Sequence, residues 1–133
     1  MDLLADTNIF LAVAMGEPER ASILTVANNR QLLAPEVLPY EIGNALTAML
    51  KRGVLAESEI MPIWETVQQI PVDLRNVDIR SALEISTTNN IYAYDAYFLE
   101  CAIRLRCPLI TLDRRLQVVA RKLGIAIPEV NTK

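Results

Sequence analysis

The sequence predicts an α/β fold, with a parallel sheet of four to five strands and helices on both faces. Short apolar runs alternate with longer segments of helical periodicity along the chain, which is the pattern of parallel strands joined by crossover helices. Two of these runs stop directly at an aspartate, Asp6 and Asp113, as buried strands do where a helix follows. The length of 133 residues predicts a single domain covering residues 1–133.

The predicted strands are short apolar runs that end at polar residues or proline. They lie at residues 3–5, 32–34, 70–74 and 109–112, with a fifth, edge strand at 125–130. Helices are predicted between them, at residues 9–16, 19–29, 36–52, 58–69, 76–89, 93–106 and 113–124. Apolar residues such as Leu38, Ile42 and Leu46 recur four residues apart, which is the spacing of one buried helix face. Ser58 is the predicted cap of the fourth helix.

The composition indicates a folded, acidic chain. Hydrophobic residues make up 52% of the sequence, which is slightly high for a small monomer, so an oligomer or a partner groove is expected. The net charge of −3 argues against a protein that holds nucleic acid by bulk charge. A nuclease stays compatible, because bound cations can offset carboxylates at its site. The sequence has neither a signal-peptide pattern nor an apolar run of about 20 residues, so a cytoplasmic protein without membrane association is expected.

Histidine and cysteine usage excludes several kinds of site. The sequence has no His, which excludes His-based catalytic triads and His zinc sites. Cys101 and Cys107 lie six residues apart and would point to different sides of one helix. Both are predicted to be reduced, small apolar residues. The isolated glycines form neither a P-loop nor a dinucleotide-binding fingerprint.

Two candidate catalytic acids follow predicted strands. Asp6 and Asp113 each stand between an apolar run and a helix, at the sheet edge where ligands bind in open parallel sheets. The simpler explanation is that each caps the next helix. For Asp113 taken alone, the cap is the favoured explanation.

Two further candidate acids lie on predicted helices. Asp95 falls on or beside an apolar stripe, with Phe98 at i+3, and an unpaired buried charge there is costly. Glu41 has Asn44 at i+3 and small alanines beyond it, which leaves room to bend into a cleft. A solvated helix charge is the simpler explanation of Glu41 alone. Glu100 is predicted to be an ordinary surface charge.

Four converging carboxylates would repel one another unless a cation offset their charge. A hard dication such as Mg²⁺ or Mn²⁺ prefers oxygen ligands and would relieve that repulsion. Such an ion lowers the pKa of bound water and stabilises charge on phosphate oxygens. If the four acids converge, the sequence predicts metal-dependent hydrolysis of phosphodiesters.

Four segments together resemble the PIN-domain ribonucleases, and most closely the VapC-type toxins of bacterial and archaeal toxin–antitoxin pairs. They are LLADTNIFL, YEIGNAL, YDAYFLECA and LITLDRRL. These segments occur in the order and spacing of the family, and the resemblance covers essentially the whole chain. It implies a PIN-like domain and a Mg²⁺- or Mn²⁺-dependent endoribonuclease.

The resemblance also assigns roles to particular residues. It implies that Asp6, Glu41, Asp95 and Asp113 line one pocket at the carboxyl edge of the sheet. Asp6 and Asp95 would contact the metal, and the other two acids would complete the pocket, directly or through water. The supporting polar residues would be Asn8, Asn44 and Thr111. Leu116 stands where some relatives carry a further acid, which leaves open whether one or two metals bind.

The resemblance further implies an RNA substrate, a homodimer and a cognate antitoxin that inserts a segment into or near the site. An acidic chain would need local cations to hold RNA. The candidates are Lys51, Arg104, Arg114 and Arg115. Each of them taken alone is predicted to be merely solvated.

Three other functions are alternatives to the endoribonuclease. A catalytically silent PIN-like scaffold that binds protein or RNA would lack one or more of the four acids, and all four are present. A phosphatase of the haloacid-dehalogenase type needs a second Asp two residues after the first, where this chain has Asn8. A flap-type DNA nuclease usually carries extra helices, for which this chain has little length. The endoribonuclease is the favoured hypothesis.

Overall fold

The computed structural model describes residues 1–131 and contains a four-stranded parallel sheet. The strands are β1 (Asp2–Ala5), β2 (Gln31–Pro35), β3 (Asp73–Arg75) and β4 (Leu109–Ile110). They lie in the order β3-β2-β1-β4, and each neighbouring pair is parallel. The helices of the described residues are α1 (Thr7–Ala14), α2 (Arg20–Ala27), α3 (Leu38–Lys51), α4 (Glu57–Gln68), α5 (Ile79–Asn89), α6 (Ala93–Leu105) and α7 (Arg114–Lys122). The predicted α/β class with a parallel sheet is confirmed.

Helices cover both faces of the sheet, as predicted. Leu3 and Ala5 of the central strand β1 pack into one buried cluster with residues of α1 to α4. Leu4, which points the opposite way, packs into a second cluster with α6 and α7. Phe10 and Leu99 are among the largest fully buried side chains of the first and second cluster. Because β1 is buried on both faces, it is uniformly apolar after its first residue.

The register of the sheet brings the carboxyl ends of its strands to one level. Leu4 lies opposite Leu33 of β2 on one side and Leu109 of β4 on the other. Asp6 directly follows β1, and its N–H donates to the Ile110 carbonyl of β4 at 3.3 Å. Residues that follow β1 and β4 therefore meet at the same edge of the sheet.

Helix ends follow local rules of the sequence. The side chains of Asp6, Asp78 and Asp113 accept backbone N–H groups at the starts of α1, α5 and α7, as N-cap carboxylates do. Asn90 ends α5 in the left-handed conformation with φ of 51°, a position where Asn is tolerated. Its carbonyl accepts a hydrogen bond from the Arg115 guanidinium at 3.2 Å, which links this turn to α7.

The predicted fifth strand at residues 125–130 is wrong, because this segment has no regular structure. The carbonyl of Ala126 accepts one hydrogen bond from Leu109 N–H at 3.0 Å. Pro128 has no N–H with which to extend that bond into a ladder. The sheet of the described residues therefore stops at β4.

Most element boundaries are shifted by one to three residues from the predicted ones, and β4 ends at Ile110 rather than at residue 112. The strand predicted at 70–74 is displaced toward its carboxyl end and becomes β3. Helix α4 begins one residue early with Ala56 at its cap position, so the predicted Ser58 cap is wrong. The Glu59 side chain takes over this capping role by accepting the Ala56 N–H at 2.8 Å.

Cys101 and Cys107 are buried and free, as predicted. Burial raises the pKa of the Cys101 thiol to about 11 and also raises that of Cys107. In the described part of the chain, every helix is too short or too polar to cross a bilayer.

Candidate active site

Each of the four acids singled out from the sequence lies at the start of a helix. Asp6 and Asp113 are the N-cap residues of α1 and α7. Glu41 and Asp95 lie in the first turns of α3 and α6. The positive end of a helix dipole favours a carboxylate at such positions.

Asp6 is held firmly at the end of β1. Its side chain is only 6% exposed. The Thr111 hydroxyl donates a hydrogen bond to Oδ2 of Asp6, and the Ile9 N–H donates to Oδ1 at 3.3 Å. The Thr111 hydroxyl also accepts the Asp113 N–H at 3.1 Å. Thr111 therefore connects the two acids that follow β1 and β4.

The pKa of Asp6 is raised to about 6. Burial is the main cause, because the charged carboxylate loses its hydration. Thr111 and the Ile9 N–H oppose this shift by donating to the charged form, whereas the negative charges of Asp113 and Asp95 add to it. The raised pKa thus reports both burial and the approach of two other acids.

Asp95 and Glu41 have raised pKa values for the same two reasons. Burial is the larger cause at each residue. The charge of Asp113 further raises the pKa of Asp95, and the charge of Asp95 raises that of Glu41. Asp95 therefore lies within electrostatic reach of each of the other three acids, whereas Glu41 interacts with Asp95 alone among them.

Asp113 caps a helix and also belongs to this group of acids. Its Oδ1 accepts the N–H groups of Arg115 and Leu116 at 2.9 and 3.2 Å. The N-cap role expected for Asp113 is thus confirmed, and it leaves the residue free to belong to the group of acids as well. A cap occupies Oδ1 alone, and no residue within 1–131 donates a hydrogen bond to Oδ2 of Asp113.

The three predicted supporting residues differ in their contacts. Thr111 binds Asp6 directly. The Asn44 side chain favours the charged form of Glu41 and so lowers its pKa. Asn8 is exposed, and its side chain makes no hydrogen bond to an acid among residues 1–131.

The oxygen donors of this site fit a hard cation in their chemistry. No three Asp, Glu, His or Cys side chains of residues 1–131 stand close enough to form a ready-made cluster. Mg²⁺ needs no such cluster, because it keeps several waters and commonly uses one or two carboxylates. Thr7, directly after Asp6, also has a buried hydroxyl without a hydrogen-bond partner in the described structure. Sequence patterns alone did not single out this oxygen.

Arg115 is the basic residue that the structure places beside the acids. Its positive charge lowers the pKa of Asp95, and its Nη2 donates to the Asn90 carbonyl. The sequence places it two residues after Asp113. Its closeness to Asp113 in the sequence is the signal that could have indicated its place beside the acids. Taken alone, Arg115 was predicted to be merely solvated. Lys51 and Arg114 are exposed.

Two predictions about α6 are wrong. Glu100 is not a surface charge, since it is only 4% exposed. Its Oε2 accepts the Arg104 Nε–H at 2.8 Å, and its Oε1 accepts the Asp78 N–H at 2.8 Å. Arg104 in turn donates to the Asn76 carbonyl. Arg104 is therefore a structural partner rather than a solvated charge.

These elements agree with a known family. The model of the PIN domain family matches residues 3–122, which include all four acids. The chain therefore belongs to the PIN domain family.

Comparison with individual proteins finds a similar sequence and similar folds. The chain is similar to Ribonuclease VapC3 of Pyrobaculum aerophilum, with 26% identity over 125 residues, 87% of this chain and 92% of the relative. Its fold is similar to the crystal structure of PAE2754 from the same organism, with a TM-score of 0.73 and 20% identity over 96% of this chain and 83% of the other. It is also similar to a chain of VapBC2 from Rickettsia felis bound to a DNA fragment from their promoter. That match has a TM-score of 0.70 and 11% identity over 98% of this chain and 100% of the other.

Proposed function

We propose that this chain is a metal-dependent endoribonuclease and the toxin of a VapBC-type toxin–antitoxin pair. The observation that carries the proposal is the electrostatic interaction of Asp95 with Asp6, Glu41 and Asp113. Membership of the PIN domain family supports it, and so does the similarity to a protein named as a ribonuclease.

Asp6 and Asp95 are the proposed ligands of a Mg²⁺ or Mn²⁺ ion. Glu41 and Asp113 complete the pocket, directly or through water. When bound, such an ion lowers the pKa of a coordinated water and stabilises charge on the phosphate oxygens. A bound cation would offset the negative charge of these acids and so favour the approach of a phosphodiester.

The chain's own groups order the reaction. Thr111 and the Ile9 N–H fix both oxygens of Asp6, so this carboxylate is positioned before substrate arrives. Because the chain has no His, the acids must orient the attacking water and accept its proton.

Water rather than the RNA 2′-hydroxyl is the proposed nucleophile. Cleavage of single-stranded RNA at internal positions should then leave 5′-phosphate and 3′-hydroxyl ends. Purified protein is incubated with single-stranded RNA or DNA in Mg²⁺, Mn²⁺ or EDTA, and the ends of the products are analysed. We expect RNA cleavage that EDTA abolishes.

Alanine at Asp6, Glu41, Asp95 or Asp113 should lower the cleavage rate about 100-fold or more while the fold persists, because such groups act as a unit. The matched control is Glu65→Ala, an exposed acid of α4, which should cleave at the wild-type rate. Cyclic-phosphate ends, or equal cleavage by Asp6→Ala, would exclude the proposed mechanism and point to a contaminating nuclease or a binding-only scaffold.

The proposed partners are a cognate antitoxin and a second copy of this chain, acting on RNA in the cytoplasm. The similarity to a VapBC2 complex chain supports the first only through its fold. For the second, α5 presents Ile79 and Leu83, which are 50% and 47% exposed and lie on one helix face. Light scattering of the purified chain should give twice its 14.9 kDa mass, and a monomer over the micromolar range would contradict the homodimer.

A further inference from the structure

A small open pocket adjoins the acidic site and has chemistry of its own. Its volume is about 290 Å³, and it is lined by Asn90, Ile91, Tyr92, Asp95 and Arg115. Pockets that bind small molecules commonly measure about 300 to 1,000 Å³. This pocket is therefore of a size for one small unit of a polymer rather than for a large ligand.

Tyr92 provides an aromatic surface at this pocket. Its side chain is 84% exposed although it stands at the N-cap position of α6. Its neighbour Tyr94 is engaged edge to face with Tyr97, at 5.8 Å between ring centroids. Tyr92 forms no such ring pair within residues 1–131. The ring of Tyr92 is therefore available for stacking, and a nucleobase is a suitable partner for a planar ring.

Arg115 provides the positive charge on the same pocket. One donor of its guanidinium is used by the Asn90 carbonyl at 3.2 Å, which holds the side chain in place. A guanidinium has five N–H donors, so others are available to a phosphate. Its charge also acts on Asp95, which puts this donor group beside the proposed reaction site.

We infer that Tyr92 and Arg115 form a nucleotide subsite that binds one unit of single-stranded RNA next to the scissile phosphate. The base stacks on Tyr92 and its phosphate contacts Arg115. This inference rests on the proposed function, because it assigns the substrate contacts of the same site. Base stacking tolerates every base, so the subsite contributes affinity rather than a sequence preference.

The first test measures binding without catalysis. Uridine and adenosine 5′-monophosphate are titrated into the wild-type protein in EDTA, and chemical-shift changes are followed by NMR. Shifts should centre on Tyr92 and Arg115. Tyr92→Ala should weaken binding about tenfold, as the loss of one stacking contact does, whereas Tyr92→Phe should retain it. Arg121→Ala, a change at another exposed arginine of α7, should leave binding unchanged. Shifts that avoid the pocket would overturn the inference.

The second test uses the cleavage reaction. Tyr92→Ala should raise KM for single-stranded RNA about tenfold with little change in kcat, and Tyr92→Phe should restore the wild-type KM. Met61→Ala, at an exposed apolar side chain of α4 that does not line the pocket, is the control for general surface effects. An unchanged KM in Tyr92→Ala, with normal cleavage by wild type, would overturn the subsite alone. Absence of cleavage by wild type would instead reject the proposed function, and the nucleotide titration would still decide the subsite.

Discussion

At the scale of single residues, Asp6 combines burial with charge in a way that makes the metal-free protein sensitive to pH. Its pKa is near 6 in the folded chain and about 3.9 in an unfolded one. Such a group favours folding when protonated. Its contribution is fully present below pH 4 and is lost as pH rises through 6. The corresponding loss of stability is about 3 kcal/mol at most.

The effect of Asp6→Asn on stability should therefore depend on pH. In EDTA at pH 8 the variant should be more stable than wild type, because it removes a buried charge. At pH 4 its stability should be close to that of wild type, because the amide then replaces a neutral carboxyl group of similar shape. Thermal unfolding across this range checks the prediction. Glu65→Gln, at an exposed acid of α4, is the control. A constant difference between variant and wild type would exclude a raised pKa of Asp6.

The thiol of Cys101 gives a second prediction at this scale. Burial raises its pKa to about 11, and the thiolate is the reactive form. Neither cysteine should react with an aromatic disulfide reagent at pH 8 until the chain unfolds. Both should then react together when guanidinium is added. Fast reaction of one thiol in the native protein would show that the second core cluster opens locally.

At the scale of elements, the buried Glu100 fixes the start of α5 against α6. Arg104→Ala would leave Glu100 short of its charged partner and should destabilise the fold by about 2 kcal/mol or more. The matched control is Arg80→Ala, which removes the arginine of an exposed pair with Glu84 at 3.7 Å and should cost under about 1 kcal/mol. Urea unfolding measures both. Equal losses in the two variants would contradict a special role of the buried pair.

The elements also explain what the sequence could predict. An apolar run such as residues 3–5 predicts a strand that is buried on both faces. Because parallel strands end at one edge of the sheet, the aspartates that follow β1 and β4 are then expected at that edge. A local pattern does not determine whether Pro128 lies in a strand, because that depends on which backbone groups meet it. Nor does it show that Glu100 has Arg104 and the Asp78 N–H as partners. The placement of Arg115 relative to Tyr92 depends on how α6 and α7 are positioned in the fold, which a local sequence pattern does not show.

The whole molecule should unfold as one unit, which is the test of the proposed single domain. The two core clusters lie on opposite faces of one sheet and share the strand β1. Loss of either cluster would expose one face of β1, the strand that carries Leu3 and Leu4, to solvent. A single calorimetric transition with equal calorimetric and van't Hoff enthalpies is expected. Two separated transitions would show that the faces unfold independently.

A cation that binds at the acidic site should raise the stability of the whole fold. Ligands that bind only the folded state raise the free energy of unfolding with concentration, and here the ion also relieves repulsion between acids. Mn²⁺ should therefore raise the Tm at pH 7.5, and less at pH 5, where protonation of Asp6 competes with the metal. The double change Asp6→Asn with Asp95→Asn should abolish the rise, and Glu65→Gln should preserve it. Calorimetric titration gives the affinities directly. An unchanged affinity for Mn²⁺ in the double variant would remove these two residues as the metal ligands.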